Sequence, residues 1–280
     1  VTTDDRKCPQ LLKQPCGSRF GTAITAVSDL NLDNYNDVVI GAPLEDSHKG
    51  AVYIFQGSGT TINKKYSQRI SASAPDVHFN YFGQSIDGQM DLNDDGLVDI
   101  TVGALGGAAL FWSRDIAQVR ITRLKFQPNK INMQNKNCVI DEKPTVCITA
   151  ELCFNVSLKS GKQPSQPIVL EYSIAIDSAR RISRGLFNET HERNIQRNIA
   201  LPLYSCVKHT FYMLDAPDFL NPVEFLVVFA LSNPEDGPVL DASLPNKKKA
   251  LVSFTKDCGE DDECINDLTL SAHADLKGDK

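Results

Sequence analysis

Asp29-Leu30-Asn31-Leu32-Asp33-Asn34-Tyr35-Asn36-Asp37 returns as Asp91-Leu92-Asn93-Asp94-Asp95-Gly96-Leu97-Val98-Asp99, at an offset of 62 residues. Each copy places oxygen-bearing side chains at positions 1, 3, 5 and 9: Asp29, Asn31, Asp33 and Asp37, then Asp91, Asn93, Asp95 and Asp99. A hard cation such as Ca²⁺ takes roughly six to eight oxygen ligands, so alternate carboxylates and carboxamides converging on one point can form its cage. Position 7, Tyr35 or Leu97, lends only a backbone carbonyl, which leaves its side chain free to vary. Position 6 requires a sharp turn, which Gly96 makes easily and Asn34 makes better than other side-chain-bearing residues.

The residues after each loop exclude the commonest calcium motif. An EF-hand carries a bidentate Glu at position 12 and then a helix. Here position 12 is Ile40 or Val102, within the β-branched runs Val38-Val39-Ile40 and Ile100-Thr101-Val102. Each loop therefore empties into a strand. These are calcium loops built into hairpins.

The repeat extends beyond the loop. Phe20-Gly21 precedes the first copy and Gly41-Ala42-Pro43 comes after it; Phe82-Gly83 and Gly103-Ala104-Leu105 frame the second. A strand-rich unit of this length, punctuated by glycine, reads as a propeller blade or solenoid repeat. The frame resembles the FG-GAP repeats of integrin alpha subunits. Gly50 to Gly57 is similar to the next strand of such a blade. Gly106-Gly107-Ala108-Ala109-Leu110-Phe111-Trp112-Ser113-Arg114 is similar to the closing strand of the last blade in the collagen-binding, inserted-domain group, nearest its alpha-one type. The departures are Asn34 for the usual Gly and Leu105 for Pro. The resemblance implies that residues 1–115 hold the last two blades of a seven-bladed propeller.

A length of 280 residues suggests about two domains. Hydrophobic content of 41% with 23% charge is ordinary for a globular chain with a sizeable core. A net charge of −6 with no basic stripe excludes nucleic acid as a partner. Eight cysteines, mostly in short-range pairs, point to an oxidising compartment. The sequons Asn155-Val156-Ser157 and Asn188-Glu189-Thr190 point the same way, with Asn155 and Asn188 as glycan acceptors. With neither initiator Met, signal peptide nor transmembrane run, the chain is expected to be a fragment with cut ends. Cys8 and Cys16 could bridge each other or pair with cysteines upstream.

After Arg114 the character changes to strands of simple alternation. Leu152, Phe154, Val156 and Leu158 share one face, with Cys153, Asn155 and Ser157 on the other, so a glycan on Asn155 would project away from the core. Ile168, Leu170, Tyr172, Ile174 and Ile176 form a second face, and Val223–Leu231 is apolar almost throughout, as in a central strand. Turn clusters at 164–167 and 233–238 separate the runs. The predicted fold is all-β: an incomplete β-propeller of two blades, then an antiparallel immunoglobulin-like sandwich. By resemblance the sandwich is the thigh domain, residues 116–257. Residues 258–264 are then a disulfide-closed knee, and 265–280 the start of the next, calf-type sandwich.

Cys138 and Cys147 flank the turn Asp141-Glu142-Lys143-Pro144 and can staple a hairpin. The resemblance pairs Cys153 with Cys206. Their spacings, and the absence of adjacent histidines, fail a zinc site. Cys258 and Cys264 close a short loop holding Glu260, Asp261, Asp262 and Glu263. By resemblance this loop binds Ca²⁺ through the Asp261 carboxylate and the backbone carbonyls of Cys258 and Glu263. An acidic side chain from the next sandwich completes the site, so metal binding there is expected to be weak or absent in this chain.

Catalysis is not expected. The five histidines stand isolated in the sequence, no Gly-x-Ser-x-Gly elbow occurs, and Gly57-Ser58-Gly59 reads as a hairpin turn. Arg180-Arg181 and Lys247-Lys248-Lys249 read as solvated loop faces. The family likeness implies the extracellular part of a cell-adhesion receptor subunit, on the outer side of the cell membrane, with a single-pass anchor expected beyond the chain. It implies pairing with an integrin beta subunit of the beta-one type. It also implies an extracellular-matrix ligand such as collagen or laminin, taken by a domain absent here. The alternative is a calcium-stabilised secreted structural or carbohydrate-binding propeller module; an appended lipase-like hydrolase is a third reading. The sandwich and cysteine-closed knee directly after the last blade favour the receptor.

Overall fold

The computed structural model describes residues 17–72, 79–164, 166–215, 218–233, 235 and 237–256. Cys8, Cys16, the knee loop 258–264 and residues 265–280 lie outside the described residues. The chain divides into two compact units. One gathers Val1–Val119, Ser157–Gln166 and Asn233–Ser243; the other gathers Arg120–Val156, Pro167–Ser232 and Leu244–Lys280.

The first blade is built from β1 (Ile24–Val27), β2 (Asp37–Ala42), β3 (Ala51–Phe55) and β6 (Gln68–Ser71), hydrogen-bonded in the order β1-β2-β3-β6. A tight turn, Glu45–His48, in which Asp46, Ser47 and His48 all have positive φ, joins β2 to β3. The two-residue strands β4 (Gly57–Ser58) and β5 (Thr61–Ile62) pair around Gly59, whose φ is 55°, so this stretch is the hairpin its sequence suggests. The second blade has three strands, β7 (Asn80–Met90), β8 (Asp99–Leu105) and β9 (Gly107–Phe111), in that order. Val27 pairs with Asp37, and Met90 with Asp99. Each acidic loop thus caps the same hairpin of its blade.

Every residue of β3 is buried, so its apolar run shows no alternation. Tyr53 and Phe55 meet Phe20 and Tyr66 edge-on, while Val52 and Ile54 join Val39, Phe82 and Val102 in another cluster. The blades meet backbone to backbone. A Cβ on Gly41 would fall on the carbonyl oxygen of Gly83, and one on Gly50 would strike the Phe82 main chain. Gly50 and Phe82 form a parallel bridge, and Phe82 N–H donates to Lys49 O at 3.0 Å. The Phe-Gly of one repeat is therefore seated against the first glycine of the preceding Gly-Ala-Pro.

The remaining strands are β10 (Ile116–Gln127), β11 (Cys138–Ile140), β12 (Lys143–Thr145), β13 (Cys147–Leu158), β14 (Ile168–Ile176), β15 (Gly185–Phe187), β16 (Asn194–Leu201), β17 (Tyr204–Met213), β18 (Val223–Leu231), β19 (Val239–Leu240) and β20 (Lys247–Val252). They form sheets of order β15-β17-β13-β10-β19 and β16-β14-β18-β20, with β11 and β12 as a separate ribbon. The inward residues of β13 and β14 alternate as their sequences predict. Phe225 packs against Phe126, Phe187 and Phe211, and Phe154 against Tyr172 and Phe229, filling the space between the two sheets. This is the layered core of a sandwich. Strand β18 lies between β14 and β20.

The structure corrects two details. The pair β10–β19 is parallel, so the sandwich is not wholly antiparallel. Lys247-Lys248-Lys249 is not a loop but the start of β20, an edge strand where lysines discourage further pairing.

Candidate metal centre

The two acidic loops share one backbone path. Asn34 and Gly96 at position 6 have φ of 72° and 81°, the left-handed turn their residue types suit. Leu32 and Asp94 at position 4 are left-handed as well, at 55° and 59°, a conformation that Asp tolerates and that Leu does not announce. Ile40 and Val102 are buried in β2 and β8. Neither offers an oxygen at position 12.

The position 1 carboxylates hold the turns. Asp29 accepts the amides of Asp33 (2.9 Å) and Asn34; Asp91 accepts those of Asp95 (3.2 Å) and Gly96 (2.6 Å). At position 5, Asp33 accepts Tyr35 N–H at 3.0 Å and Asp95 accepts Leu97 N–H at 2.8 Å. The Asn31 and Asn93 amides each donate to that same carboxylate at 2.9 Å. At position 9, Asp37 and Asp99 are buried, accepting Leu30 N–H and Leu92 N–H at 2.9 Å. Their second oxygens accept Gly57 N–H and Ser113 N–H, also at 2.9 Å. The chain two residues past the third strand of each blade, after Phe55 and after Phe111, thus closes over that blade's loop.

Among the described residues, no three His, Cys, Asp or Glu side chains form a ready-made metal cluster. The loop carboxylates are turned onto main-chain amides. Two observations nonetheless fit a cation. Asn31 Oδ1, at position 3 of the first loop, is buried with no hydrogen-bond partner, a costly state for an amide oxygen unless a ligand meets it. Burial raises the Asp37 carboxyl above its ordinary range; the Gly57 and Leu30 amides oppose this, and neighbouring Asp29 and Asp33 push it further up. A divalent ion would offset that like-charge crowding. Tyr35 and Leu97 remain partly or largely exposed, consistent with positions whose side chains are free.

Two lysines reach the loops from the segment after β13, which belongs to the same compact unit. Lys159 Nζ donates to Asn31 O at 2.9 Å, and Lys162 Nζ donates to Asp95 O. Lys159 also faces Asp241 at 3.9 Å. Nothing in the spacing of Lys159 and Lys162 foretells these contacts.

Elsewhere the structure joins Cys138 to Cys147 beside the β11–β12 ribbon, and Cys153 to Cys206, which face each other on β13 and β17. Asn155 and Asn188 are both exposed. Cys258, Asp261, Glu263 and Cys264 fall outside the described residues. His209 is not isolated as its sequence context suggested. It is buried, with Nε2 2.9 Å from Tyr172 Oη and Nδ1 3.0 Å from Glu189 Oε1. Burial, then the Glu189 charge, pushes the Tyr172 hydroxyl up to about 12. The His209 hydrogen bond holds the Glu189 carboxyl below its usual range against partial burial, helped by Arg197. These groups satisfy one another beneath the sheet surface, an arrangement for packing rather than for substrate.

Residues 113–257 match the family described as integrin alpha Ig-like domain 1, and residues 20–55 match the FG-GAP repeat. Integrin alpha-11 of Mus musculus is 41% identical over 261 residues, covering 92% of this chain and 22% of its own length. Integrin alpha-2 of Bos taurus is 39% identical over 272 residues, with 94% and 22% covered. Integrin alpha-10 of Homo sapiens is 37% identical over 269 residues, with 95% and 23% covered. The chain thus spans about a fifth of the length of these relatives.

Proposed function

Because this chain belongs to the integrin alpha family, we propose that it is an extracellular portion of a cell-adhesion receptor subunit, non-enzymatic and acting as a heterodimer. Residues 1–115 supply propeller blades, 116–257 the thigh-type sandwich, 258–264 the knee and 265–280 the entry to the next sandwich. The partner is an integrin beta subunit of the beta-one type. Contact with matrix ligands such as collagen or laminin falls to an inserted domain elsewhere in the protein. The protein sits at the cell surface with these domains outside. Among the described residues, no helix is long and apolar enough to cross a membrane.

The observation that carries this reading is the pair of acidic hairpin loops with matching hydrogen bonds, set in a Phe-Gly and Gly-Ala frame. Ca²⁺ would be held by Asp29, Asn31, Asp33, the Tyr35 carbonyl and Asp37, and by Asp91, Asn93, Asp95, the Leu97 carbonyl and Asp99. At the knee it would be held by Asp261 with the carbonyls of Cys258 and Glu263. Bound there, the ion supplies charge compensation and cross-links the hairpin; it takes no part in a reaction. Asp33→Ala or Asp95→Ala in the full-length protein, co-expressed with a beta-one subunit, is expected to cut surface delivery several-fold while the receptors that arrive keep their ligand affinity. Surface level by flow cytometry and ligand titration on the same cells separate the two effects. Normal delivery with intact calcium content would reject the loop assignment; failure to co-precipitate any beta subunit would reject the receptor.

A further inference from the structure

The sandwich carries an outward-facing strip that the metal loops do not use and that the Cys153–Cys206 bridge crosses. On β13 the outward side chains are Thr149, Glu151, Cys153 and Asn155, and directly opposite them on β17 stand Thr210, Lys208, Cys206 and Tyr204. Asn155 is exposed, and Tyr204 beside it keeps 50% of its surface in solvent. Directly paired residues on one face hold their Cβ atoms about 5 Å apart, so the two side chains start side by side, and the Tyr204 hydroxyl lies 3.1 Å from Cys206 Sγ, on the way along the strip. At the other end of the strip lies a groove of about 690 Å³, whose lining includes Lys125, Gln127, Asn129, Thr149, Glu151 and Lys208. Arg123 meets Glu151 at 3.5 Å on its border.

We propose that this strip is the seat of the glycan carried by Asn155: the first sugar lies on Tyr204, and the later sugars run over the Cys153–Cys206 bridge into the groove. The proposal rests on the extracellular, glycosylated reading of the chain and adds where the sugar goes and which side chains hold it. An N-acetylhexosamine presents an apolar C–H face and an equatorial rim of hydroxyls. An exposed tyrosine matches the first, offering apolar area with a polar tip. Amides and paired charges match the second, because each hydroxyl both donates and accepts, as do the carboxamides of Gln127 and Asn129. The reach is consistent: Glu151 is four residues from Asn155 along β13, about 13 Å at strand rise, the length of roughly three pyranose rings. The groove faces the same side of the sheet as Asn155, so the saccharide need not turn an edge. Asn188 follows β15 beside Thr210, its amide donating to Thr210 O at 2.9 Å, with a threonine rather than an exposed tyrosine opposite it, and serves as the internal reference.

The test uses the full-length protein from mammalian cells, digested without denaturation by peptide N-glycosidase, with occupancy at each sequon followed by mass spectrometry. The glycan at Asn155 is expected to be released about tenfold more slowly than that at Asn188. Tyr204→Ser should abolish the difference, Tyr204→Phe should keep it, and Lys208→Glu should reduce it, with release at Asn188 unchanged in each. Equal release at the two sites in the unmutated protein overturns the proposal without any variant. An unglycosylated Asn155 overturns it along with the modification it rests on. Protection at Asn155 that persists in Tyr204→Ser removes the assigned seat.

Discussion

Asp177 and Arg184 form the most buried ion pair among the described residues, with side chains 2% and 4% exposed and Arg184 Nε 2.7 Å from Asp177 Oδ2. Arg184 also donates to the carbonyls of Asn221 at 2.6 Å and Pro222 at 2.8 Å, so most of its fork is engaged. Burial pushes the Asp177 carboxyl up, but hydrogen bonds from Arg184 and from the Glu224 and Arg184 amides outweigh it and leave the group below its ordinary range. Removing one partner of such a pair strands the other charge, so Asp177→Ala is expected to cost roughly 3–5 kcal/mol in chemical denaturation. Asp177→Ala combined with Arg184→Met should recover part of that loss. The pH dependence has a definite sign. A carboxyl lower in the folded than in the unfolded state stabilises above the unfolded value, about 3.9, and loses that contribution as pH falls through the folded value. Stability measured from pH 5 to pH 2 should therefore fall more steeply in the unmutated protein than in Asp177→Asn. At this scale the sequence was legible where spacing repeats: Asp29 to Asp37 and Asp91 to Asp99 occupy matching positions. It was silent on Asp177, Arg184 and His209, because a partner reached across a loop or a sheet leaves no period in the chain.

Among elements, the joint between blades is the most demanding. Gly41→Ala would drive a methyl group into the Gly83 carbonyl, a backbone atom with no room to yield. A loss of at least about 2 kcal/mol is expected, as for overpacking in a core. Gly59→Ala faces open space and meets only the left-handed backbone at φ 55°, so about 1 kcal/mol is expected there. Urea unfolding of the two variants side by side checks the contrast. The disulfides differ in the chain they span: Cys138–Cys147 joins residues 9 apart and Cys153–Cys206 residues 53 apart. Chain entropy gives about 3 kcal/mol for the first and about 4 kcal/mol for the second, so paired Cys→Ser variants should rank in that order by thermal denaturation. Strand alternation on β13 and β14 was readable from the sequence, as was the Cys138–Cys147 staple beside its turn. The lysine segment against the acidic loops was not, since Lys159 and Lys162 lie more than a hundred residues from Asn31 and close to no acidic run. Nor was the parallel contact of β19 with β10, which only the tertiary path creates.

For the whole molecule, one spectroscopic handle separates the two units. Trp112 is the only tryptophan in the chain, half-exposed and adjacent to Ser113, whose amide holds Asp99. Chelating calcium from this 280-residue chain is expected to shift Trp112 emission and lower the temperature at which it changes, while the far-ultraviolet β signal from the second unit persists to higher temperature. Coincident, chelator-insensitive transitions by both probes would contradict a structural role for the ion. Fold class was legible at this scale because the repeat frame and the later alternation each announce their own architecture. The discontinuous first unit was not, because strands β10 and β13 run on past its edge without any change in composition. The glycine joint bears on how such a chain can be lengthened or shortened. Gly41 is the socket and Phe82-Gly83 the tongue, so each 62-residue copy carries one half of the joint on either side. Gaining or losing a whole copy keeps tongue matched to socket, whereas a break within a copy strands a tongue against a mismatched neighbour. Variation in the number of blades is therefore inherited in whole steps, and any splice or crossover that respects the array must fall at the same phase of the repeat.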